Sequence, residues 1–263
     1  MSDHDGRRGE VDTATLFSGR ADAYRRFRPG YPPGVVDLLA CEAGWTPAST
    51  VADIGSGTGI SSALFLERGN TVHGVEPNAE MRLAADAWLA GEPAWRSVAG
   101  TAEHTTLGDA SVDLVVCATS FHWFDAMGAR AEFRRILRPG GFVVLMWNVR
   151  RAAGSPFMRD YEAVLHRFEP DYAARTAADT DIGDRIRAFY APCACAQQTF
   201  DNPQTLDLEG LRGRFMSASY APLPGDAAHE PAMHALDGLF ARFAVDGRVT
   251  FLYDTFLYWG RLG

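Results

Sequence analysis

The sequence predicts an α/β protein built around one mostly parallel sheet, and three observations carry that reading. The apolar run Val51-Ala52-Asp53-Ile54 reads as a buried strand, and Gly55, Gly57 and Gly59 follow it at alternate positions before a helix over Ser61 to Glu67. A second apolar run, Thr71 to Val75, ends in Glu76, 21 residues after Gly55. Strand-sized apolar segments then keep alternating with amphipathic ones through the first 150 residues. Each observation has a physical meaning. Glycine accepts positive φ and has no Cβ, so a ligand can lie directly on the main chain. The helix opening there presents unpaired N–H groups. A carboxylate on the tip of the next strand is where doubly wound folds accept hydrogen bonds from ribose hydroxyls. A nucleoside-type cofactor site follows from the combination. The dinucleotide fingerprint is not met, because its third glycine position holds Ile60.

The elements follow in order. Residues 13–45 form an aromatic and basic N-terminal arm, interrupted at Pro29 and at Tyr31-Pro32-Pro33, with an amphipathic helix over Val35 to Ala43. Asn78 to Leu89 is a second amphipathic helix, carrying Met81, Ala84, Ala85 and Trp88 on one face. Trp95 to Ala99 is a third strand, followed by the loop Gly100-Thr101-Ala102-Glu103. The fourth strand starts at Asp113 and exits through Thr119-Ser-Phe121-His122-Trp-Phe124, at the carboxyl end of the sheet where ligands sit in open α/β folds. A helix over Ala126 to Arg138 stops at Pro139-Gly140-Gly141, and Gly141 to Asn148 is a buried fifth strand. Residues 150–190 break the rhythm. They read as an inserted cap with a helix over Pro156 to Phe168 and a small, polar, weakly periodic stretch over Asp171 to Ala188. The sixth strand is Ala196 to Asn202. Helices over Asp207 to Ser217 and Ala227 to Val245 follow, and Arg248 to Arg261 is an alternating last strand. Residues 207–245 complete the cap of what reads as a single domain.

Three segments carry a family resemblance: Asp53-Ile-Gly55-Ser56-Gly57-Thr-Gly59, then Val75-Glu76-Pro77-Asn-Ala-Glu-Met81, then Leu137-Arg-Pro-Gly-Gly141. In register and in this order they resemble the motifs of class I S-adenosylmethionine-dependent methyltransferases. The arm (Tyr24, then Arg28-Pro29-Gly-Tyr31-Pro32) is similar to that of the branch including the trans-aconitate and ubiquinone-pathway enzymes. The resemblance implies a Rossmann-like sheet of seven strands, the last antiparallel, with helices on both faces. It implies S-adenosyl-L-methionine as cofactor and S-adenosyl-L-homocysteine as product. Cofactor contacts are expected from Asp53, Gly55, Ser56, Gly57, Gly59, Glu76, Pro77 and Met81, with Thr101, Ala102 and Glu103 against adenine. Tyr24 and Arg28 would meet the methionine part, the guanidinium facing its carboxylate. Thr119 is a further expected cofactor contact, and Thr119 to Phe124 would wall the reaction chamber. His122 is either a catalytic base for a hydroxyl or amine acceptor or a packing residue. Phe121, Trp147, Asn148 and Tyr220 are the candidate substrate contacts, with Asn148 alternatively capping a loop.

Composition bounds the rest. Hydrophobic content of 47% and charged content of 22% are globular values, and a net charge of −8 without a long basic cluster argues against nucleic acid as substrate. Phe142 to Trp147, the longest apolar stretch, is strand-sized, so no membrane span or signal peptide is expected. Cys41, Cys117, Cys193 and Cys195 form no C-x-x-C pair, and a reducing, cytoplasmic setting without a metal is the default. The expected function is methyl transfer to a small-molecule O or N acceptor by in-line displacement in a desolvated pocket. The alternatives are a non-methylating reaction, such as cyclisation in a natural-product pathway, and a cofactor-binding subunit without catalysis.

Overall fold

The computed structural model describes residues 21–168, 172, 182–219 and 221–263. The chain opens with two helices, α1 (Ala21–Phe27) and α2 (Gly34–Glu42). It then alternates β1 (Thr50–Ile54), α3 (Ile60–Leu66), β2 (Thr71–Val75), α4 (Ala79–Trp88), β3 (Trp95–Val98) and β4 (Val112–Ala118). A 3₁₀ turn over Phe121–Trp123 leads to α5 (Ala126–Ile136) and β5 (Leu137–Arg150). Helices α6 (Pro156–Phe168) and α7 (Ile182–Tyr190) precede β6 (Ala196–Asp201) and β7 (Gln204–Leu206). The last elements are α8 (Leu208–Met216), α9 (His229–Phe243), β8 (Val249–Phe251) and β9 (Tyr253–Gly260). Side-chain oxygens of Asn78, Asp125 and Asp207 cap the starts of α4, α5 and α8, satisfying N–H groups that a helix cannot pair internally.

The main sheet has seven strands in the order β3-β2-β1-β4-β5-β9-β6, and β9 runs antiparallel to both neighbours. Its central strands are apolar on both sides because both faces are covered. Val51, Leu114, Val116, Val144 and Met146 join α2 and α3 in one cluster. Their neighbours Ala52, Val115, Cys117, Val143 and Leu145 join α5 and α7 in the other. A third cluster, from α6, α8, α9, β8 and the start of β9, stands apart from both. Among the described residues no helix is long and apolar enough to cross a membrane.

Three elements depart from the pattern read in the sequence. Helix α5 ends at Ile136, and β5 already pairs there, Leu137 with Val112. An irregular register then absorbs the Pro-Gly-Gly stop before Phe142 pairs with Leu114. The stretch expected to be polar and weakly periodic contains α7, whose Ile186, Phe189 and Tyr190 are buried. This helix lies under the sheet rather than in the cap: Phe189 meets Phe121 at 4.9 Å and Phe133 at 6.1 Å between ring centroids. Finally, the single last strand is two. Val249–Phe251 pairs with β7 in a separate two-stranded sheet, and Tyr253–Gly260 enters the main one.

Candidate active site

A cavity of about 300 Å³ opens at the carboxyl ends of the central strands, a volume at the small-molecule scale. The sheet forms its floor, the N-terminal arm one wall, and α8 with the start of β9 another. The arm is tied down on both sides. Arg26 pairs with Glu209 at 2.7 Å, and Gln204 Nε2 donates to the Phe27 carbonyl at 3.0 Å. The Phe27 ring fills the space that a Cβ on Gly213 would need, 2.1 Å away. Further on, the Gly30 carbonyl accepts from Asn148 Nδ2 at 3.0 Å and Asn202 Nδ2 at 2.8 Å.

The glycine turn forms the near end of the cavity. Gly55 has φ +68°, and a Cβ there would meet Ser120 Cβ at 2.6 Å, while Ser120 Oγ donates to the Ile54 carbonyl at 2.7 Å. Only glycine serves at that close approach. At Gly57 a Cβ would point into open space beside the cavity, so the main chain itself is the wall. Glu76 lies under this turn. Its Oε2 accepts the Gly57 N–H at 3.0 Å and its Oε1 the Asn78 N–H at 2.9 Å. Burial raises its pKa, and the two backbone N–H groups oppose that rise. Each oxygen keeps a lone pair for a further donor, so the carboxylate is an oriented acceptor for two neighbouring hydroxyls. Pro77, Met81, Thr101, Ala102 and Glu103 line the same end. Glu103 Oε1 also accepts the Asp125 N–H at 2.9 Å, which pins the loop to the start of α5. A ribose with its base fits this set: paired acceptors, an exposed glycine main chain, and flanking Met81 and Ala102.

Tyr24, Arg28, Ser56, Thr119 and Asn148 line the cavity as well. The Arg28 guanidinium stacks on Tyr24, 4.8 Å from its centroid, and Nη2 donates to the Ser217 carbonyl at 3.0 Å. Thr119 holds φ +57°, an unusual conformation for a β-branched residue. Its N–H donates to the Met146 carbonyl at 2.8 Å, and its Oγ1 bonds the Tyr31 hydroxyl at 3.0 Å. Tyr31 is half-buried, and desolvation pushes its pKa up, so it stays protonated.

Several expected site residues lie elsewhere. Asp53 is fully buried and accepts the hydroxyls of Ser61 and Ser62, each at 2.6 Å, so it fastens β1 to α3 rather than facing the cavity. Gly59 caps α3 with φ +85°; a Cβ there would meet Leu89 Cδ1 at 2.8 Å, so its role is helix packing. Phe121 and Trp147 point to the other face of the sheet, packed edge to face at 6.3 Å. Neither lines the cavity. His122 is not among the residues lining the cavity. Its ring lies against Trp123, and burial together with Arg185 lowers its pKa to about 4. It is therefore neutral at physiological pH, and its place off the cavity wall favours the packing alternative over the catalytic one. Asn148 does line the cavity, but its amide hydrogens serve the arm. Tyr220 lies outside the described residues. Of the stretch Thr119 to Phe124 expected to wall the chamber, Thr119, Ser120, Trp123 and Phe124 line the cavity; wall residues not foreseen include Tyr31, Arg214 and Tyr253. Arg214 and Tyr253 left no signal, because a buried arginine in an amphipathic helix reads as a surface charge until the packing is known. No group of His, Cys, Asp and Glu among the described residues is placed to hold a metal ion.

Residues 52–145 match the family model described as a methyltransferase domain. Over 187 residues the chain is 30% identical to an uncharacterised methyltransferase of Geobacillus kaustophilus, which covers 66% of this chain and 80% of that protein. The chain belongs to the methyltransferase family. Another member, an uncharacterised methyltransferase of Mycobacterium tuberculosis, is 41% identical over 163 residues, 59% of this chain. This methyltransferase chain thus spans 64% of that relative's length. Its fold is similar to the solved structure of a candidate type II methyltransferase from Anaeromyxobacter dehalogenans. That TM-score is 0.61 at 22% identity, with 89% of this chain and 98% of the other covered.

Proposed function

We propose that the chain binds S-adenosylmethionine in this cavity and transfers its methyl group to the oxygen or nitrogen of a small-molecule acceptor. The carrying observation is the Glu76 carboxylate, held by the N–H groups of Gly57 and Asn78 beneath an exposed glycine main chain. When bound, the cofactor supplies a methyl group on a positively charged sulfur, which already leaves well. The protein's task is then to bind, align and exclude water. Glu76 would take the ribose hydroxyls, Met81 and Ala102 would flank the base, and Arg28 would face the amino-acid carboxylate. The arm, fastened by Phe27 on Gly213, would shield the reacting end from solvent.

No histidine lines the cavity among the described residues, and its two carboxylates, Glu76 and Glu103, belong to the nucleoside end. An acceptor that needs no strong base suits this wall. The test is calorimetry with S-adenosylhomocysteine, followed by turnover with methyl-labelled S-adenosylmethionine. A carboxylate hydrogen bond is worth about 1.5–3 kcal/mol, so Glu76→Ala should weaken homocysteine-nucleoside binding roughly 10- to 100-fold. An unchanged affinity would remove Glu76 from the site and the proposal with it.

A further inference from the structure

Two hydroxyl groups meet in the cavity, one from the arm and one from the floor. We propose that the Tyr31–Thr119 pair receives the hydroxyl of a neutral alcohol or phenol acceptor and positions its oxygen. The inference rests on the cavity being a methyl-transfer site and names the class of molecule that enters beside the cofactor.

The sheet order gives the pair its place. Thr119 directly follows β4, which lies two strands from β2. At about 4.8 Å per strand that is roughly 10 Å from the strand whose tip carries Glu76. The loop with Ala102 follows β3, on the far side of β2. A nucleoside with its base at that loop and its ribose on Glu76 therefore turns its open end toward β4. Tyr31 reaches the same side from the arm, and both side chains line the cavity, each half-buried.

The pair is fixed from both directions. Thr119 keeps its φ of +57° with its N–H on the Met146 carbonyl, a strained conformation of the kind that persists at functional sites. Tyr31 lies between Gly30, whose carbonyl accepts from Asn148 and Asn202, and the rigid Pro32-Pro33. Its ring packs against the core cluster that includes α2.

Hydrogen counting then gives the class. The two oxygens lie 3.0 Å apart, and one hydroxyl donates to the other. Among the described residues neither hydroxyl makes a further hydrogen bond. One O–H hydrogen is thus left to donate, and lone pairs are left to accept. An alcohol or phenol uses both: its oxygen takes the spare hydrogen, and its own hydrogen goes to the other hydroxyl. That oxygen's second lone pair stays unengaged. A carboxylate has no hydrogen to give, and an ammonium has no lone pair to accept with. Desolvation raises the pKa of Tyr31, so it serves as a hydroxyl rather than a phenolate.

The test uses 3-phenylpropan-1-ol and its methyl ether, titrated calorimetrically into the full chain saturated with S-adenosylhomocysteine. The phenyl group suits the wall formed by Trp123 and Phe124. The alcohol can make two hydrogen bonds to the pair and the ether one, so the alcohol should bind about threefold to tenfold more tightly. A single remaining hydroxyl can make only one bond to either probe. Tyr31→Phe, which keeps the packed ring, and Thr119→Ala, which eases the strained backbone, should therefore each bring the alcohol down to the ether. Either variant carries the test should the other not fold. Tyr31→Phe should also bind S-adenosylhomocysteine as tightly as the parent; a loss there as large as the loss for the alcohol would assign the pair to the cofactor and overturn the proposal. Equal binding of alcohol and ether by the parent, no binding of the alcohol, or a preference retained in either folded variant would overturn it too and leave the cofactor reading intact. Failure of the unmodified chain to bind S-adenosylhomocysteine overturns the underlying reading, and this one with it.

Discussion

Asp53 is buried for order rather than for contact with a ligand, and pH can measure what that costs. Burial raises its pKa from 3.8 to about 6, with Glu76 adding to the rise and the two serine hydroxyls opposing it. The folded chain therefore holds this proton more tightly than the unfolded one. The resulting stabilisation is complete below pH 3.8 and is lost as pH rises through about 6. The difference corresponds to about 3 kcal/mol. Asp53→Asn keeps an acceptor for both hydroxyls and carries no charge. Urea unfolding should show it gaining on the parent by up to that amount at pH 8, with the gap closing near pH 4. A pH-independent difference would contradict the assignment. At His122 the expectation is the reverse of a catalytic residue's: His122→Ala should keep kcat within about twofold, since its ring packs against Trp123 and does not line the cavity. A large fall in kcat at constant KM would put it back in the reaction. The place of Glu76 was readable from sequence because it follows the end of the second apolar run and the glycine turn precedes it at a fixed spacing. The fate of His122 was not, since one residue's rotation in a 3₁₀ turn decides which side of the floor it faces.

Helix α1 has no buried residue of its own; besides the Arg26–Glu209 pair and the Gln204–Phe27 hydrogen bond, it is held where Phe27 lies over Gly213. Alanine is a better helix former than glycine by about 1 kcal/mol, so Gly213→Ala should not harm α8 itself. It should displace Phe27, loosen the arm and weaken S-adenosylhomocysteine binding by about tenfold, a loss of about 1.4 kcal/mol. Adding Phe27→Ala removes the colliding ring and should not worsen the loss further; additive losses would contradict this coupling. At this scale periodicity located most elements to within a residue or two. It failed where pairing overrode local signals. Leu137 leaves the helix because Val112 offers a strand partner, and the alternating run after Arg248 divides because its halves pair in different sheets. Helix α7 was hidden by the stretch around it, although Ile186, Phe189 and Tyr190 carry a buried face.

For the molecule as a whole, the cavity lies where the sheet's end, the arm and the cap cluster meet, and the two halves of the site differed in legibility for that reason. The end beside Glu76 is written in contiguous motifs, Gly55 to Gly59 and Glu76 to Met81, whose spacing is fixed by one β-α-β unit. The rest of the wall is assembled from Thr119, Asn148, Arg214 and Tyr253, which come from four separate places in the chain and share no spacing. Only packing brings them together. The central claim is that the turn after β1 and the tip of β2 hold the cofactor's nucleoside. A crystal structure with S-adenosylhomocysteine tests it most directly. Both ribose hydroxyls should lie within hydrogen-bonding distance of the Glu76 carboxylate, with the base between Met81 and Ala102. A nucleoside bound elsewhere, or a ribose with no contact to Glu76, would contradict it.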